Sequence, residues 1–135
     1  MADDAATEFL RQAMPLCALI GAQAQKNTPD EIVLTLDWKP ELCTSGGILH
    51  GGAVMALADS AGGACAFANL PEGAVGTATI ESKTNFLGAV RSGTVTATAT
   101  PLHRGSSTFV IETEVRDAEG KLVAKVTQTQ AVIKK

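Results

Sequence analysis

Residues 50–69, His50-Gly51-Gly52 followed by AVMALADSAGGACAFAN, decide the fold of this chain. The stretch after the glycines is rich in alanine, leucine and methionine, which favour helix over strand. Between residues 53 and 68 the only polar side chains are Asp59, Ser60 and the weakly polar Cys65. A helix that is apolar on nearly all sides is a buried helix. Gly62 and Gly63 weaken a helix interior, so they predict that another element packs closely against the backbone there.

The flanking sequence predicts one short helix and six strands. Residues 4–14 suit a helix that Pro15 stops. Two strands, at about 18–26 and 31–38, are separated by the turn sequence Asn-Thr-Pro-Asp and are expected to form a hairpin. Four further segments alternate apolar and polar residues, and we expect an antiparallel meander of strands near 75–87, 94–103, 107–116 and 121–133. These elements make a single α+β domain, residues 1–135, in which a curved antiparallel sheet of about six strands wraps round one long central helix.

Length and composition exclude several classes of protein. With 135 residues, 45% hydrophobic and 19% charged, the chain suits one domain and is too short for a (β/α)₈ barrel or a two-domain dehydrogenase. A site must therefore be small or shared between subunits. The N-terminus does not resemble a secretory signal, and no stretch of roughly 20 uninterrupted apolar residues occurs, so we expect a cytoplasmic protein that does not enter a membrane. The three cysteines are far apart and odd in number, which argues against a disulfide framework.

Charge is distributed unevenly along the chain. Residues 1–82 carry three basic and ten acidic side chains, whereas residues 83–135 carry eight basic and four acidic ones. The second half is suited to a phosphate-bearing ligand, although an ordinary solvated surface explains the same spacing equally well. The net charge of −3 and the lack of a binding motif argue against nucleic acid as a partner.

Asp59 is the strongest candidate for a catalytic group. It is a carboxylate in the middle of the most apolar segment, where an unpartnered charge is costly and is usually paired, protonated or functional. The alternative is a structural aspartate that hydrogen-bonds a neighbouring backbone group. A carboxylate with a perturbed pKa in a cleft is suited to act as a general base.

The His50-Gly51-Gly52 segment is the second candidate. It lies where the long helix begins, so the unpaired amides of the first turn and the positive end of the helix dipole can stabilise an oxyanion. A simple turn is the alternative explanation for the glycines, and His50 with only His103 as a companion predicts no metal site. His50 and Asp59 are nine residues apart, roughly 13.5 Å of rise and about 180° of rotation in a helix. If they share a site, two chains must therefore contribute to it, as in a two-fold dimer.

Several stretches carry a resemblance to a known family. The main ones are Gly47-Ile48-Leu49-His50-Gly51-Gly52 and Ala56-Leu57-Ala58-Asp59-Ser60-Ala61, supported by Asn85-Phe86-Leu87, Gly93-Thr94-Val95-Thr96-Ala97 and His103-Arg104-Gly105. In these residues the chain resembles the PaaI-type acyl-CoA thioesterases of the hotdog-fold superfamily, over nearly its whole length from about residue 16. The resemblance implies a six-stranded antiparallel sheet curled round the long helix, a homodimer with its sheets joined edge to edge, and often a homotetramer.

The resemblance also implies roles for individual residues. The acid at the position of Asp59 acts as general base or nucleophile, and the amide at the position of Gly51 polarises the thioester carbonyl. His50 helps to shape that site, and a hydroxyl at the position of Thr79 helps to hold the attacking water. Thr44 stands where the family commonly has Asn, six residues before the motif histidine.

The expected reaction is hydrolysis of an acyl-CoA thioester to a carboxylic acid and free CoA, with CoA as part of the substrate and no other cofactor or metal. The phosphates of CoA are expected near the turns of the meander, on the residues Arg91, Arg104, Gly105 and Ser106. Two alternatives remain open: a hotdog-fold hydratase or dehydratase, and a non-catalytic domain that binds acyl-CoA. The sequence leaves the identity of the acyl group open.

Overall fold

The computed structural model describes all residues from 1 to 135. Its helices are α1 (Asp4–Ala13), α2 (Pro15–Ile20) and α3 (Gly51–Ala68), with short 3₁₀ turns at Pro40–Leu42 and Ser45–Gly47. Its strands are β1 (Gln23–Asn27), β2 (Ile32–Asp37), β3 (Ala74–Phe86), β4 (Thr94–Arg104), β5 (Thr108–Arg116) and β6 (Leu122–Lys134). The predicted α+β architecture of six antiparallel strands around one long helix is confirmed.

The order of the strands corrects one part of the prediction. The sheet runs β1-β2-β4-β5-β6-β3, so β3 does not precede β4 in a meander but lies beside β6 at the edge. One side of β4 pairs with β2 and the other with β5, so no free edge of β4 remains for β3. The connection between β3 and β4 crosses the end of the sheet instead, and the buried Val90 anchors this connection.

The segment after Pro15 also differs from the prediction. Residues 15–20 form α2 rather than the beginning of the first strand, because Pro15 occupies the first turn of a helix, where its missing N–H costs nothing. Gly21 ends that helix in the left-handed conformation, with φ of 82°. The strand β1 therefore begins only at Gln23, and it forms the predicted hairpin with β2.

The core lies between α3 and the sheet. Leu57, Ala58 and Ala61 of α3 are fully buried against inward-facing side chains of β2, β4, β5 and β6. By length and composition α3 could also cross a membrane, but in this fold it is the central helix of the core.

The two helix glycines differ in what they face. A side chain at Gly62 would come within 2.5 Å of Gln128 Cδ, so the predicted close packing is confirmed there, whereas nothing lies within 4 Å of a side chain at Gly63.

Candidate active site

The N-terminus of α3 presents one free backbone amide. His50 is the N-cap, and its Nδ1 accepts a hydrogen bond of 2.7 Å from the amide of Gly52. The carbonyl of His50 accepts the amides of Ala53 and Val54. The amide of Gly51 has no partner within the chain, and it lies at the positive end of the helix dipole. This amide is therefore available to a negatively polarised oxygen.

The cap also determines the state of the imidazole of His50. A nitrogen that accepts a hydrogen bond carries no proton, so in this arrangement the ring proton is on Nε2. The N-cap residue of a helix is usually Ser, Thr, Asp or Asn, and here the imidazole of His50 accepts the amide hydrogen bond instead. His50 thus accepts the amide of Gly52 and leaves the amide of Gly51 without a partner. The side chain of His50 is exposed, so its Nε2–H is free to donate.

The loop before α3 is held in place by the crossing connection. Leu49 pairs with Cys43 in an antiparallel bridge and donates its amide to the carbonyl of Val90 at 2.8 Å. Thr44 lies in this loop, with an exposed side chain and with its amide bonded to the carbonyl of Ile48. Thr44, His50 and Gly51 therefore lie in the same short segment at one end of α3.

Asp59 lies two turns further along α3, and its environment corrects one expectation. Its side chain is exposed in the single chain rather than buried, and it makes no hydrogen bond or ion pair. The alternative of a structural aspartate that hydrogen-bonds a neighbouring backbone group is therefore wrong. Partial burial against the apolar helix still raises the pKa of the Asp59 carboxyl above its ordinary value.

Asp59 belongs to a surface that we call the open face. On α3 the open face consists of the exposed residues one turn apart, Met55, Asp59 and Phe67, with Gly63 between the last two. Beside them runs β3, which pairs only with β6 and leaves its other edge free. Ile80 of β3 is 64% exposed and Phe67 is 54% exposed, which is unusual for large apolar side chains.

A cavity of about 890 Å³ begins at Gly63, one helical turn beyond Asp59, and Asp59 itself is not part of its wall. Thr79 of β3 and Gln130 of β6 are also part of that wall. The remaining wall is mostly apolar and comes from α1, the β1–β2 hairpin, the second half of α3 and β3: Ala6, Phe9, Leu10, Ala13, Met14, Ala24, Asn27, Pro29, Ile32, Leu34, Ala64, Phe67, Ala68, Gly76 and Thr77. Its volume is within the range of small-molecule sites.

The predicted site residues fall into two groups within one chain. Thr44, His50 and Gly51 lie at the N-terminal end of α3, where the Phe86 ring lies 3.1 Å from the place of a Gly51 side chain. Thr79 is seven residues before Phe86 on the same strand, about 23 Å away along β3. Thr79 therefore lies in the cavity wall with Gly63 and Gln130 and does not stand beside the Gly51 amide of its own chain.

The residues predicted to hold CoA phosphates are not brought together in one chain. Arg91 follows Val90 and lies near the beginning of α3, whereas Arg104, Gly105 and Ser106 lie at the far end of β4, about 33 Å away. Arg104 is occupied by an ion pair with Asp30 at 2.8 Å, in which both side chains are largely exposed. One chain therefore offers either arginine to a phosphate, but not both to the same one. No group of three or more His, Cys, Asp or Glu side chains is placed to hold a common metal ion.

Two glutamines that the sequence did not single out are buried in the structure. Gln128 and Gln130 are 0% and 2% exposed, and both face α3 from β6. The sequence did contain a sign of their burial. The alternation of β6 places residues 124, 126, 128, 130 and 132 on one face, and three of these five residues are apolar, as expected for a face that packs on the core. The side-chain amides of Gln128 and Gln130 therefore form a polar site inside the core.

Comparison with known proteins places this geometry in context. Residues 46–124 match the model of the thioesterase superfamily. A protein from Saccharolobus solfataricus that carries the name of an esterase is 39% identical over 93 residues, covering 69% of this chain and 65% of that protein. The 1,4-dihydroxy-2-naphthoyl-CoA hydrolase of Escherichia coli is 33% identical over 87 residues, 64% of this chain and 63% of that enzyme. The chain thus spans somewhat less than two thirds of these two relatives.

Among solved structures, a thioesterase from Haemophilus influenzae superposes with a TM-score of 0.87 at 31% identity, covering 95% of this chain and 90% of the other. The architecture described above is therefore the hotdog fold of these enzymes.

Proposed function

The chain belongs to the thioesterase superfamily, a family of thioester hydrolases, and we propose that it hydrolyses acyl-CoA thioesters to a carboxylic acid and free CoA. The observation that carries the proposal is the unpartnered Gly51 amide at the capped N-terminus of α3. An amide so placed suits the oxygen of a thioester carbonyl, on which charge develops during attack. The E. coli relative supports CoA as the thiol part of the substrate.

We further propose that two chains form each site. Gly51 and Asp59 are eight residues apart on α3, about 12 Å of rise, and the Gly51 amide points out of the helix end, away from Asp59. One carbonyl group cannot reach both within a single chain. A two-fold dimer that joins the free edges of two β3 strands would cover the open face and bring Asp59 of one chain towards Gly51 of the other. Such dimers can pair again as a homotetramer.

The proposed reaction uses groups of the two chains and water. The carbonyl oxygen accepts the Gly51 amide, while Asp59 removes a proton from water as the water oxygen attacks the carbonyl carbon. The carbon–sulfur bond then breaks, and the proton passes from Asp59 to the departing thiolate of CoA. Direct attack by Asp59 would give an anhydride that water opens to the same products. Neither route requires a metal or a redox group.

We propose that Arg104, with Gly105 and Ser106 in the same turn, holds a phosphate of CoA by exchanging Asp30 for it. An exposed ion pair contributes little free energy, so a phosphate can replace the carboxylate at small cost. Arg91 would serve the same end only if it came from another subunit. The cytoplasm is the compartment we propose, since CoA esters are used there, and the subfamily we propose is the PaaI type.

The test is release of free thiol from a panel of acyl-CoA esters, with wild-type protein and Asp59→Asn. We expect steady release by the wild type and a turnover number lower by roughly 10²–10⁴ in the variant, the scale for a positioned general base. A hydratase would change the absorbance of an enoyl-CoA without releasing thiol, and a binding domain would bind the esters without release. Either result, or undiminished turnover by Asp59→Asn, contradicts the proposal.

A further inference from the structure

The strands β3 and β6 carry two buried polar atoms that have no hydrogen-bond partner. They are Oγ1 of Thr84 on β3 and Nε2 of Gln128 on β6. The side chain of Gln128 is 0% exposed, so its free N–H groups do not reach bulk water. A buried donor without an acceptor is costly, because the hydrogen bonds that it makes to water in the unfolded chain are not replaced.

The free nitrogen of Gln128 is held in its direction towards α3. Oε1 of Gln128 accepts a hydrogen bond from Nε2 of Gln130, which also donates to Oγ1 of Thr79 at 2.7 Å. Of the amide atoms of Gln128, Nε2 lies nearest to the place that a side chain at Gly62 would occupy. The glycine therefore makes room for the amide, and Gln130 keeps the free nitrogen turned towards the helix.

Asp59 lies next to Gly62 on the surface of α3. Residues three apart are neighbours on a helix, with about 5–6 Å between their Cβ positions. Viewed along the helix axis, Gly62 is turned by about 100° from the fully buried Ala61, and Asp59 by about 160° in the same sense. Gly62 faces β6, and the strand beyond β6 is β3. Asp59 therefore lies on the flank of α3 that is turned towards β3, and the missing side chain of Gly62 leaves the way to Gln128 open.

Thr84 lies on the part of β3 that passes this flank. The ring of Phe86 lies against the place of a side chain at Gly51, the first residue of α3. Thr84 is two residues before Phe86 on the same face of the strand, and its partner on β6 is two residues from Gln128. The two free polar atoms therefore lie side by side on the face of the sheet that α3 covers.

No other charged group faces Asp59 from these elements. Asp59 is the only charged residue of α3. Glu81 and Lys83 of β3 lie on the opposite face of the sheet, and so does Lys125 of β6, which pairs with two glutamates of β5. The free buried donors on the Asp59 flank are therefore the amide of Gln128 and the hydroxyl of Thr84.

We propose that Gln128 and Thr84 are positioning residues that hold the carboxylate of Asp59 for its reaction. This inference rests on the proposed function. A partner chain that covers the open face removes water from the carboxylate, and Gln128 Nε2 then donates to one carboxylate oxygen, directly or through one water, with the Thr84 hydroxyl beside it. A carboxylate fixed through one oxygen presents the other to the attacking water.

The first test is Gln128→Leu, which keeps the approximate volume of the side chain and removes the donor. Hydrogen bonds to charged groups are among the stronger ones, so kcat for thiol release from acyl-CoA should fall by about tenfold to hundredfold, with little change in KM. The pH at which kcat/KM falls on the acid side should rise by about one unit, because a carboxylate without its donor is harder to ionise. Gln128→Met gives the same test with a more adaptable side chain.

A double variant separates positioning from a general effect on the core. In Asp59→Asn no carboxylate remains to be held, so adding Gln128→Leu should not lower the residual kcat further. A further tenfold loss in the double variant would mean that Gln128 acts on something other than Asp59, and this would overturn the proposal.

Thr84→Val and Thr113→Val form a matched pair of controls. Both hydroxyls are buried without a partner, and the two threonines pair with Val126 from opposite sides. Only Thr84 lies on the Asp59 flank, so Thr84→Val should lower kcat while Thr113→Val leaves it unchanged. Equal kcat in these two variants, or an acid-side fall that does not move in Gln128→Leu, overturns the proposal.

Titration of the Asp59 carboxyl, followed by carbon NMR of the labelled full chain, tests the contact independently of hydrolysis. The pKa of Asp59 should be higher in Gln128→Leu than in wild type. If no ester is hydrolysed but the pKa rises in this way, the proposed reaction is wrong and the contact between Gln128 and Asp59 stands. The same pKa in both proteins overturns the contact.

Discussion

Gly51 allows the backbone amide itself to be removed by substitution. Proline has no N–H, and Gly51 is the first residue of α3, where proline is favoured. The residue before a proline must be extended, and His50 already is, with φ of −61° and ψ of 134°. Because the Gly51 amide has no partner in the chain, Gly51→Pro removes no internal hydrogen bond.

The control is Gly51→Ala, which keeps the amide and adds the same Cβ. That atom would lie 3.1 Å from Cζ of Phe86, whose side chain is 52% exposed and therefore able to move aside. Any steric effect is common to both variants, so their difference isolates the N–H. Loss of one oxyanion donor is worth about 2.7–4 kcal/mol of transition-state stabilisation, so Gly51→Pro should lower kcat by roughly 10²–10³ relative to Gly51→Ala.

The assay is thiol release at saturating acyl-CoA, with thermal unfolding of both variants measured in parallel. Melting temperatures should agree to within a few degrees, because proline is compatible with the first turn. If Gly51→Pro turns over as fast as Gly51→Ala while both are folded, the amide does not stabilise the transition state. The same conclusion follows if Gly51→Ala loses as much turnover as Gly51→Pro.

Three further outcomes are expected. Partial burial against α3 raises the pKa of Asp59, and a general base must be ionised, so kcat/KM should fall as pH decreases through a value above the ordinary carboxyl pKa of about 3.9. A fall centred at or below that value contradicts this. Arg104→Ala should raise KM for acyl-CoA with little change in kcat. Asp30→Asn frees the guanidinium of Arg104 and should lower KM by up to about fivefold. A change in kcat alone in these variants would rule out phosphate binding by Arg104. Gly62→Ala should have a free energy of unfolding about 1–3 kcal/mol lower than Gly63→Ala, measured by urea denaturation at equal protein concentration. Both variants gain helix propensity, but only the side chain at position 62 collides with the buried amide of Gln128. Equal free energies of unfolding would mean that this amide moves freely.

The central helix and most of the strands were predictable because their signals are local. The apolar run after Gly52 specifies α3 to within two residues, and the period-two alternation specifies β4 and β5. The place of β3 was not predictable in this way. Alternation within β3 says nothing about its neighbour, which was decided by the pairing of β2 with β4 between segments far apart in the chain.

Some features of the candidate site were likewise predictable from the local sequence, and others were not. Asp59 and Gly51 could be found because an isolated carboxylate and a glycine pair stand out in an apolar run. The exposure of Asp59 could not be predicted, since the helix is apolar on all sides and the sequence does not show which side the sheet leaves uncovered. Arg104 looked available because its partner Asp30 is 74 residues away in sequence.

The claim that two chains build one site is tested most directly by mixing two defective proteins. Asp59→Asn keeps a normal Gly51, and Gly51→Pro keeps a normal Asp59, so a mixed dimer holds one intact site and one that is doubly defective. If subunits exchange at random, half of the dimers are mixed, and thiol release should rise to about a quarter of the wild-type rate, although each parent alone is nearly inactive. If the mixture, after unfolding and refolding together, is no more active than the average of its parents, both groups act within one chain and the shared site is wrong.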